Sequence, residues 1–396
     1  MHKQTLQDIR VEGKKVYVRV DYNVPLNEAG EITDDTRIRA SLPTLQYLLE
    51  RRCRVILASH LGRPKGQKKA EYSLAPVAKR LSELLGQEVH FAQDCIGEAV
   101  RQQVEELQAG EVLLLENVRF YPEEEKNAPE FARQLAELAD IAVNDAFGVS
   151  HRAHASVVGV AQHLPMAAGF LLAKEIEFLE QAVSDPKRPF TAIIGGAKVS
   201  DKIAVIKRLT ELADTVIIGG GMANTFLAAQ GYEIGTSLVE KDKEDVALEV
   251  LRAAQERGVD LLLPTDAVTA KEFAADSPAH VHEVADLPAD EMVLDIGPQT
   301  AEKYAQAVAT AATVLWNGPM GVFEMPAFAK GTNAVAQALA NSAAVTIVGG
   351  GDSVAAIEQC GLADRITHIS TGGGASLEYL EGKELPGVAC LAEVES

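Results

Sequence analysis

Short apolar runs alternate with longer amphipathic stretches along the whole of this 396-residue chain. The runs are rich in Val, Ile and Leu and are apolar on both faces, which is typical of parallel strands covered by helices on both sides. Because parallel strands need a crossover connection, usually a helix, this order predicts an α/β fold of doubly wound parallel sheets. The predicted strands are Val16–Val20, Val55–Ser59, Val112–Leu115, Ile141–Val143, Ala192–Ile194, Thr215–Ile218, Leu261–Leu263, Thr313–Trp316, Val345–Val348 and Ile366–Ile369.

The amphipathic stretches predict helices between these strands, at Ala40–Arg52, Leu74–Leu85, Asp201–Ala213, Lys241–Arg257 and Ala334–Asn341. One further helical stretch, Gly169–Val183, ends at a Ser-Asp-Pro stop signal. The length of the chain favours two large domains. We therefore interpret residues 169–184 as a helix that, with a hinge, joins two Rossmann-like domains at residues 1–168 and 185–383; an ordinary crossover helix is the alternative.

The overall composition is acidic, with 37 Lys and Arg against 57 Asp and Glu, so the formal charge is 37 − 57 = −20. A general nucleic-acid binder needs a basic surface, which this charge disfavours. No apolar run approaches the ~20 residues of a membrane span, and the first residues lack a secretory signal pattern. The four cysteines lie far apart, as reduced thiols do in a cytoplasm: Cys53, Cys95, Cys360 and Cys390. We expect a cytoplasmic protein without a nucleic-acid or membrane partner.

Polar side chains follow the predicted strands of the first half. Ligands of open parallel sheets bind beyond the carboxyl ends of the strands, so these side chains are candidate binding residues: Asp21, Asn23, Arg37, His60, Arg63, Arg119 and Arg152. Guanidinium groups bind phosphate and carboxylate through paired hydrogen bonds. The set predicts a pocket for a small, multiply anionic metabolite, with Asp21 and Asn23 receiving its hydroxyls; scattered surface ion pairs are the alternative. We expect no metal at His151 and His154, and we interpret the acidic run Glu123–Glu125 as a solvated loop.

Glycine clusters follow apolar strands in the second half, in the segments AIIGGAKVSDK, TVIIGGGMANTFL, VTIVGGGDSVAAI and ITHISTGGGASLEYL. Glycine lets backbone N–H groups approach an anion closely, and a following helix start adds unpaired donors. Several such turns in one domain predict a nucleotide, although tight turning alone is the alternative for any single one. Lys198 and Lys202 would neutralise phosphate charge. Asp352 would hold Mg²⁺, or cap the helix beginning at Ser353, or do both.

The motifs RVDYNVPL, SHLGRP, ENVRFY, NDAFG, HRAHAS, GGAKVSDK, GGGMANTFL, WNGPMGVFE, GGGDS and STGGGASLEYLEGK occur in this order over residues ~15–385. Together they resemble the phosphoglycerate kinase family. The resemblance implies reversible transfer of phosphate from ATP to 3-phosphoglycerate, giving ADP and 1,3-bisphosphoglycerate. It also implies a two-lobed monomer in which the C-terminal segment 384–396 packs back on the N-terminal lobe.

The resemblance assigns residues to two sites. It places the phosphoglycerate site in residues 1–168, at Asp21, Asn23, Arg37, His60, Arg63, Arg119 and Arg152. It places the nucleotide site in residues 185–383, at Lys198, Lys202, Gly219, Gly220, Asn317, Glu324, Gly349, Gly350, Gly351, Asp352 and Ser353. Within the second set, Glu324 resembles the ribose-binding residue and Asp352 the magnesium ligand.

The implied chemistry needs no general base, because the nucleophile is a substrate carboxylate that is already ionised at neutral pH. Positioning and charge stabilisation then dominate phosphoryl transfer. We expect Arg37 and Lys198 to approach the transferring phosphoryl from opposite sides, with backbone N–H groups near Gly351 and Gly374 as further donors. We also expect the lobes to close about the joining helix before transfer. The alternatives are a non-catalytic nucleotide-binding scaffold and a dinucleotide-dependent oxidoreductase, although GxGxxG is absent.

Overall fold

The computed structural model describes residues 2–395, and the chain divides into two compact units. The first unit comprises Met1–Glu177 and Glu384–Ser396, and the second comprises Phe178–Lys383. Each unit contains one six-stranded parallel sheet with helices beside it. The predicted α/β fold with two parallel sheets is confirmed.

The first unit is built on six parallel strands in the order β3-β4-β2-β1-β5-β6. The strands are β1 (Lys15–Arg19), β2 (Arg54–Ala58), β3 (Val89–Phe91), β4 (Val112–Leu114), β5 (Ile141–Asn144) and β6 (Met166–Ala168). The helices are α1 (Thr36–Ala40), α2 (Leu42–Glu50), α3 (Ala75–Leu85), α4 (Glu98–Glu106) and α5 (Pro129–Ala136). Arg19, the last residue of β1, lies level with Ala58 of β2 and Asn144 of β5. The carboxyl ends of the central strands therefore form one edge.

Helix α3 shows how local signals and burial agree in this unit. Pro76 stands in its first turn, where the missing N–H costs nothing, and Gly86 ends it with a φ of 67°. Its buried face carries Val77, Ala78 and Leu81, which belong to the hydrophobic core beside the sheet.

The helix α6 (Phe170–Ser184) begins in the first unit and ends in the second. Its start is capped by Asp145, whose carboxylate oxygen accepts hydrogen bonds from the backbone N–H groups of Leu171 at 3.0 Å and Leu172 at 3.3 Å. Burial raises the pKa of Asp145 to about 7, against the lowering effect of its hydrogen bonds to Thr44 and to these amides.

The second unit has a parallel sheet in the order β15-β14-β13-β7-β8-β9 and a three-stranded antiparallel sheet in the order β11-β10-β12. The strands are β7 (Phe190–Ile194), β8 (Thr215–Ile218), β9 (Asp260–Leu262), β10 (Asp266–Ala270), β11 (His280–Glu283), β12 (Met292–Ile296), β13 (Thr313–Asn317), β14 (Val345–Gly349) and β15 (His368–Ile369). The helices are α7 (Ile203–Leu212), α8 (Gly221–Ala229), α9 (Glu244–Arg257), α10 (Pro298–Ala309), α11 (Lys330–Asn341), α12 (Gly351–Gln359) and α13 (Gly374–Leu380).

Each of the ten predicted strands overlaps an observed strand, but five observed strands were not predicted: β3, β6, β10, β11 and β12. The first two are only three residues long. The other three form the antiparallel sheet, where polar residues interrupt the apolar pattern, most of all in the sequence HVHE of β11. The predicted helix Ala40–Arg52 is also wrong in part, because Pro43 in the first turn of α2 separates it from α1.

The C-terminal residues hydrogen-bond within the first unit. The short helix α14 (Pro386–Ala389) lies beside Ser150, whose carbonyl accepts the N–H of Gly387 at 2.8 Å. The N–H of Ala392 bonds the carbonyl of Met166, the first residue of β6, at 2.9 Å. Among residues 2–395, every helix is too short or too polar to cross a membrane.

Candidate active site

Three residues of the predicted phosphoglycerate site meet just beyond the end of β1. Nη1 of Arg37, on α1, donates to the carbonyl of Asn23 at 2.8 Å and lies 3.4 Å from Oδ1 of Asp21. The side-chain oxygen of Asn23 accepts the N–H of Gly62, in the loop after β2, at 2.9 Å. These contacts hold the two loops together and leave Asp21, Asn23 and Arg37 partly exposed.

His60, two residues after the end of β2, is a buried neutral imidazole among guanidinium groups. Burial, together with Arg19, Arg119 and Arg37, lowers the pKa of His60 well below its ordinary value. Nη2 of Arg19 lies 3.1 Å from Nδ1 of His60. Because a guanidinium has no acceptor, Nδ1 must accept and the imidazole proton stays on Nε2. His60 is therefore held in one tautomer as a neutral donor.

The other predicted arginines differ in exposure. Arg119 is half-buried, and burial with repulsion from Arg19 lowers its pKa. Its Nη1 lies 3.4 Å from the carbonyl of Gly62, and its Nε lies 3.5 Å from Glu125. Arg63 and Arg152 are exposed. Burial lowers the pKa of His154 to about 4, with contributions from the charges of Arg119, Arg19 and Arg152. Arg152 therefore belongs to the same electropositive region.

A buried cluster behind His60 was missed from the sequence. Arg19 and Glu124 are both fully buried, with Nη2 and Oε2 3.9 Å apart. Ser156 bridges them: its Oγ accepts from Nε of Arg19 at 2.8 Å and donates to Oε2 of Glu124 at 2.5 Å. The prediction of a solvated loop is thus wrong for Glu124. Arg19, as an arginine ending an apolar strand, was the signal that a buried acid must lie nearby.

Glycine turns follow the strands of the second parallel sheet. Gly195 follows β7, and a Cβ there would lie 2.1 Å from the carbonyl oxygen of Pro319. Gly220 precedes α8 with a φ of 73°, and a Cβ there would lie 2.5 Å from the carbonyl oxygen of Gly196. The turns before α12 and α13 are more open, since a Cβ at Gly351 or Gly373 would meet nothing within 4 Å.

Lys202 contacts the carboxyl ends of the neighbouring strands β7 and β13. Its Nζ donates to the carbonyl of Gly195 at 2.6 Å and to Oδ1 of Asn317 at 2.8 Å. Burial lowers the pKa of Lys202 to about 8, although Asp352 and Asp201 act to raise it. The strand order reverses between β7 and β13, because β8 and β9 lie on one side of β7 while the later strands β13, β14 and β15 lie on the other. Doubly wound sheets bind ligands at this position.

The remaining predicted nucleotide residues lie around the same edge or on the adjoining turns. The Oγ of Ser353, in the first turn of α12, accepts the N–H of Gly318 at 2.6 Å. Lys198, Glu324 and Asp352 are exposed, whereas Asn317 and Ser353 are buried. The glycines at the ends of β8 and β14 complete the set: Gly219, Gly220, Gly349, Gly350 and Gly351.

A cavity of about 450 Å³ opens beside these turns. Its walls are mainly apolar and include Leu238, Phe273 and Val322, while the carboxylates of Glu324 and Asp352 also border it. A mainly apolar cleft of this size with few polar groups suits a planar base with a polar sugar. The exposed carboxylate of Asp352 at the start of α12 is a hard oxygen donor, which fits Mg²⁺ shared with phosphate oxygens.

Known proteins match this chain over nearly its whole length. Residues 6–383 match the family model described as phosphoglycerate kinase. Phosphoglycerate kinases of Moorella thermoacetica and Dictyoglomus turgidum are 63% and 57% identical, each over 99% of this chain and all of the relative. Solved phosphoglycerate kinase structures from Coxiella burnetii and Pyrococcus horikoshii align with TM-scores of 0.90 and 0.84 at 43% and 36% identity, covering 98% of both chains in each case. The resemblance drawn from the motifs is confirmed, and this chain belongs to the phosphoglycerate kinase family.

Proposed function

We propose that this protein transfers the terminal phosphoryl group of ATP to the carboxylate of 3-phosphoglycerate, reversibly, giving 1,3-bisphosphoglycerate and ADP. The observation that carries the proposal is the family match over residues 6–383. The chain has a charge of −20, yet arginines cluster at the ends of the first unit's strands. Such a cluster suits a substrate that carries both a phosphate and a carboxylate.

The acceptor is assigned to the first unit. Arg63, Arg119 and Arg152 supply guanidinium groups for its phosphate, and neutral His60 donates from Nε2. Asp21 and Asn23 accept and donate hydrogen bonds at its hydroxyl. Arg37, whose Nη1 donates to the carbonyl of Asn23, would bind the acceptor carboxylate through its other N–H groups.

The donor nucleotide is assigned to the second unit. The apolar cavity takes the base, Glu324 bonds the ribose, and the glycine turns with Lys202 and Lys198 face the phosphates. Asp352 would hold Mg²⁺. When bound, Mg²⁺ neutralises phosphate charge and orients the terminal group.

The transfer itself rests on charge stabilisation. The acceptor carboxylate is ionised at neutral pH, so no side chain has to remove a proton from it. Arg37 and Lys198 stabilise the charge on the transferring phosphoryl, and the N–H groups near Gly351 and Gly374 add neutral donors.

We further infer that the protein works as a monomer in the cytoplasm, without a nucleic-acid or membrane partner. All four cysteines are free, as suits a reducing compartment. In the part of the chain that the structure describes, six large apolar side chains are exposed: five lie in the second unit, where Leu238 and Phe273 border the cavity, and Val394 lies in the first.

A coupled assay of ADP formation with 3-phosphoglycerate and Mg-ATP tests the function. We expect turnover in the wild type, and a fall in kcat of about 10²-fold or more for Lys198→Ala and for Arg37→Ala, since each removes one transition-state charge. Lys207→Ala and Arg39→Ala are matched controls, because both side chains are exposed and each only pairs with one surface acid.

The controls should keep wild-type kcat. No ADP formation by the wild type, with ATP still bound, would indicate the non-catalytic scaffold. A change in KM alone for Arg37→Ala would make Arg37 a substrate anchor.

A further inference from the structure

A cluster of two histidines and one glutamate lies on the antiparallel sheet of the second unit. His280 and His282 are two residues apart on β11, so their side chains share one face of the sheet. Nδ1 of His280 lies 2.7 Å from Oε1 of Glu291, and Nε2 of His282 lies 3.2 Å from Oε2. One nitrogen or oxygen of each residue lies within 4.8 Å of the others. The proposed transfer reaction uses none of these groups.

Glu291, the residue before β12, is buried, whereas the histidines border solvent. Its side chain is 4% exposed and also accepts a hydrogen bond from Thr269 Oγ1 at 3.0 Å. The hydrogen bond from Thr269 fixes the orientation of the carboxylate. His280 is 51% exposed and His282 31%, so water has access to the open side.

We propose that His280, His282 and Glu291 form a zinc site, with water as the fourth ligand. Two imidazoles and a carboxylate with an open position are a zinc donor set. At Zn–ligand distances of about 2.1 Å, tetrahedral ligand atoms lie about 3.4 Å apart, and the three ligand atoms here all lie within 4.8 Å of one another. Each neutral imidazole carries its proton on the nitrogen that does not bind the metal.

The donor set also decides between metals. Mg²⁺ and Ca²⁺ prefer oxygen ligands in larger number, whereas two imidazoles favour Zn²⁺ and its neighbours in the first transition row. Zinc would attach β11, which pairs only with β10 and is mostly exposed, to the residue preceding β12. The site thus gives an edge strand a second attachment.

Calorimetric titration of nucleotide-free protein with Zn²⁺, in excess Mg²⁺ to occupy oxygen sites, tests the proposal. We expect one zinc ion per chain for the wild type. Loss of a group that only hydrogen-bonds a metal ligand costs about 10–100-fold in affinity, so His282→Ala, which removes a direct ligand, should weaken binding by about 10²-fold or more. His163→Ala is the matched control, because His163 is an exposed histidine of the first unit.

Titration with Co²⁺ provides a spectroscopic readout. We expect the intense visible absorption of four-coordinate Co²⁺ in the wild type and in His163→Ala, and its loss in His280→Ala and His282→Ala. Wild-type ADP formation by the histidine variants would show that they are folded. Absence of zinc binding by the wild type, or equal affinity in His282→Ala, would overturn the proposal.

Discussion

Glu124→Gln removes the charge of one buried acid while keeping its shape. In the native protein, Oε1 of Glu124 accepts the N–H of Ser156 at 2.6 Å, and glutamine can keep this bond through its carbonyl oxygen. The substitution removes the negative charge opposite Arg19 and replaces Oε2, which accepts from Oγ of Ser156, by an amide donor. Because the guanidinium is fully buried and cannot deprotonate, it would stay charged without its counterion.

The magnitude follows from the separation of the charges. At 3.9 Å and an effective dielectric constant near 20, the lost attraction is about 4 kcal/mol. Removing one partner of a buried ion pair typically costs about 3–5 kcal/mol, in the same range. We therefore expect the free energy of unfolding of the first unit to fall by about 4 kcal/mol. Amides that exchange by unfolding of that unit should then exchange hydrogen about 10³-fold faster.

Hydrogen exchange measured on peptides from β1 and β5 is the assay, since these strands flank the cluster. The single tryptophan, Trp316, is buried in the second unit, so its fluorescence during urea unfolding reports that unit and not the first. Glu123→Gln is the matched control, because this neighbouring acid is exposed. The substitution should change the free energy of unfolding by no more than about 0.5 kcal/mol. If Glu124→Gln speeds exchange no more than Glu123→Gln, the reasoning about the buried pair is refuted.

The remaining predictions concern pH and packing. Burial raises the pKa of Asp145 from 3.8 to about 7, so the folded state binds the carboxyl proton more tightly than the unfolded state does. The protonated carboxyl therefore adds up to about 4 kcal/mol to the free energy of unfolding below pH ~4, and this contribution is lost as the pH rises through ~7. Asp145→Asn should abolish this part of the pH dependence in urea titrations, and an unchanged profile would contradict it. The pKa of Lys202 is about 8 because of burial, so kcat/KM for ATP should fall as pH rises through that value. In Lys202→Met, kcat/KM for ATP should be about 10²-fold lower and should not fall with pH in this range. If the fall persisted in the variant, another group would be responsible for it. Gly195→Ala places a Cβ 2.1 Å from the Pro319 carbonyl and should cost about 1–3 kcal/mol in Trp316-monitored unfolding, whereas unchanged stability would mean that the turn relaxes freely.

The sequence predicted best those elements whose environment is the same on both faces. Strands such as β8 must be apolar throughout, because helices cover the parallel sheet on both sides. Strand β11 has no such requirement, since most of its side chains are exposed, and its sequence HVHE carries no strand pattern. Its partner β10 lies close by in the chain, but β11 has no apolar alternation that would predict the pairing, so the histidine–glutamate cluster was not visible beforehand.

Some features of the candidate site were predictable from the sequence, and others were not. The sequence alone determined that cations and glycine turns follow successive strands, because the carboxyl ends of parallel strands share an edge. Only the tertiary structure decided that Glu124 is buried against Arg19 and that His60 is neutral. It likewise decided that Lys202 is buried against Asn317 of a distant strand. Burial and charge state depend on partners far apart in the chain, and no local pattern encodes the dielectric environment that those partners create.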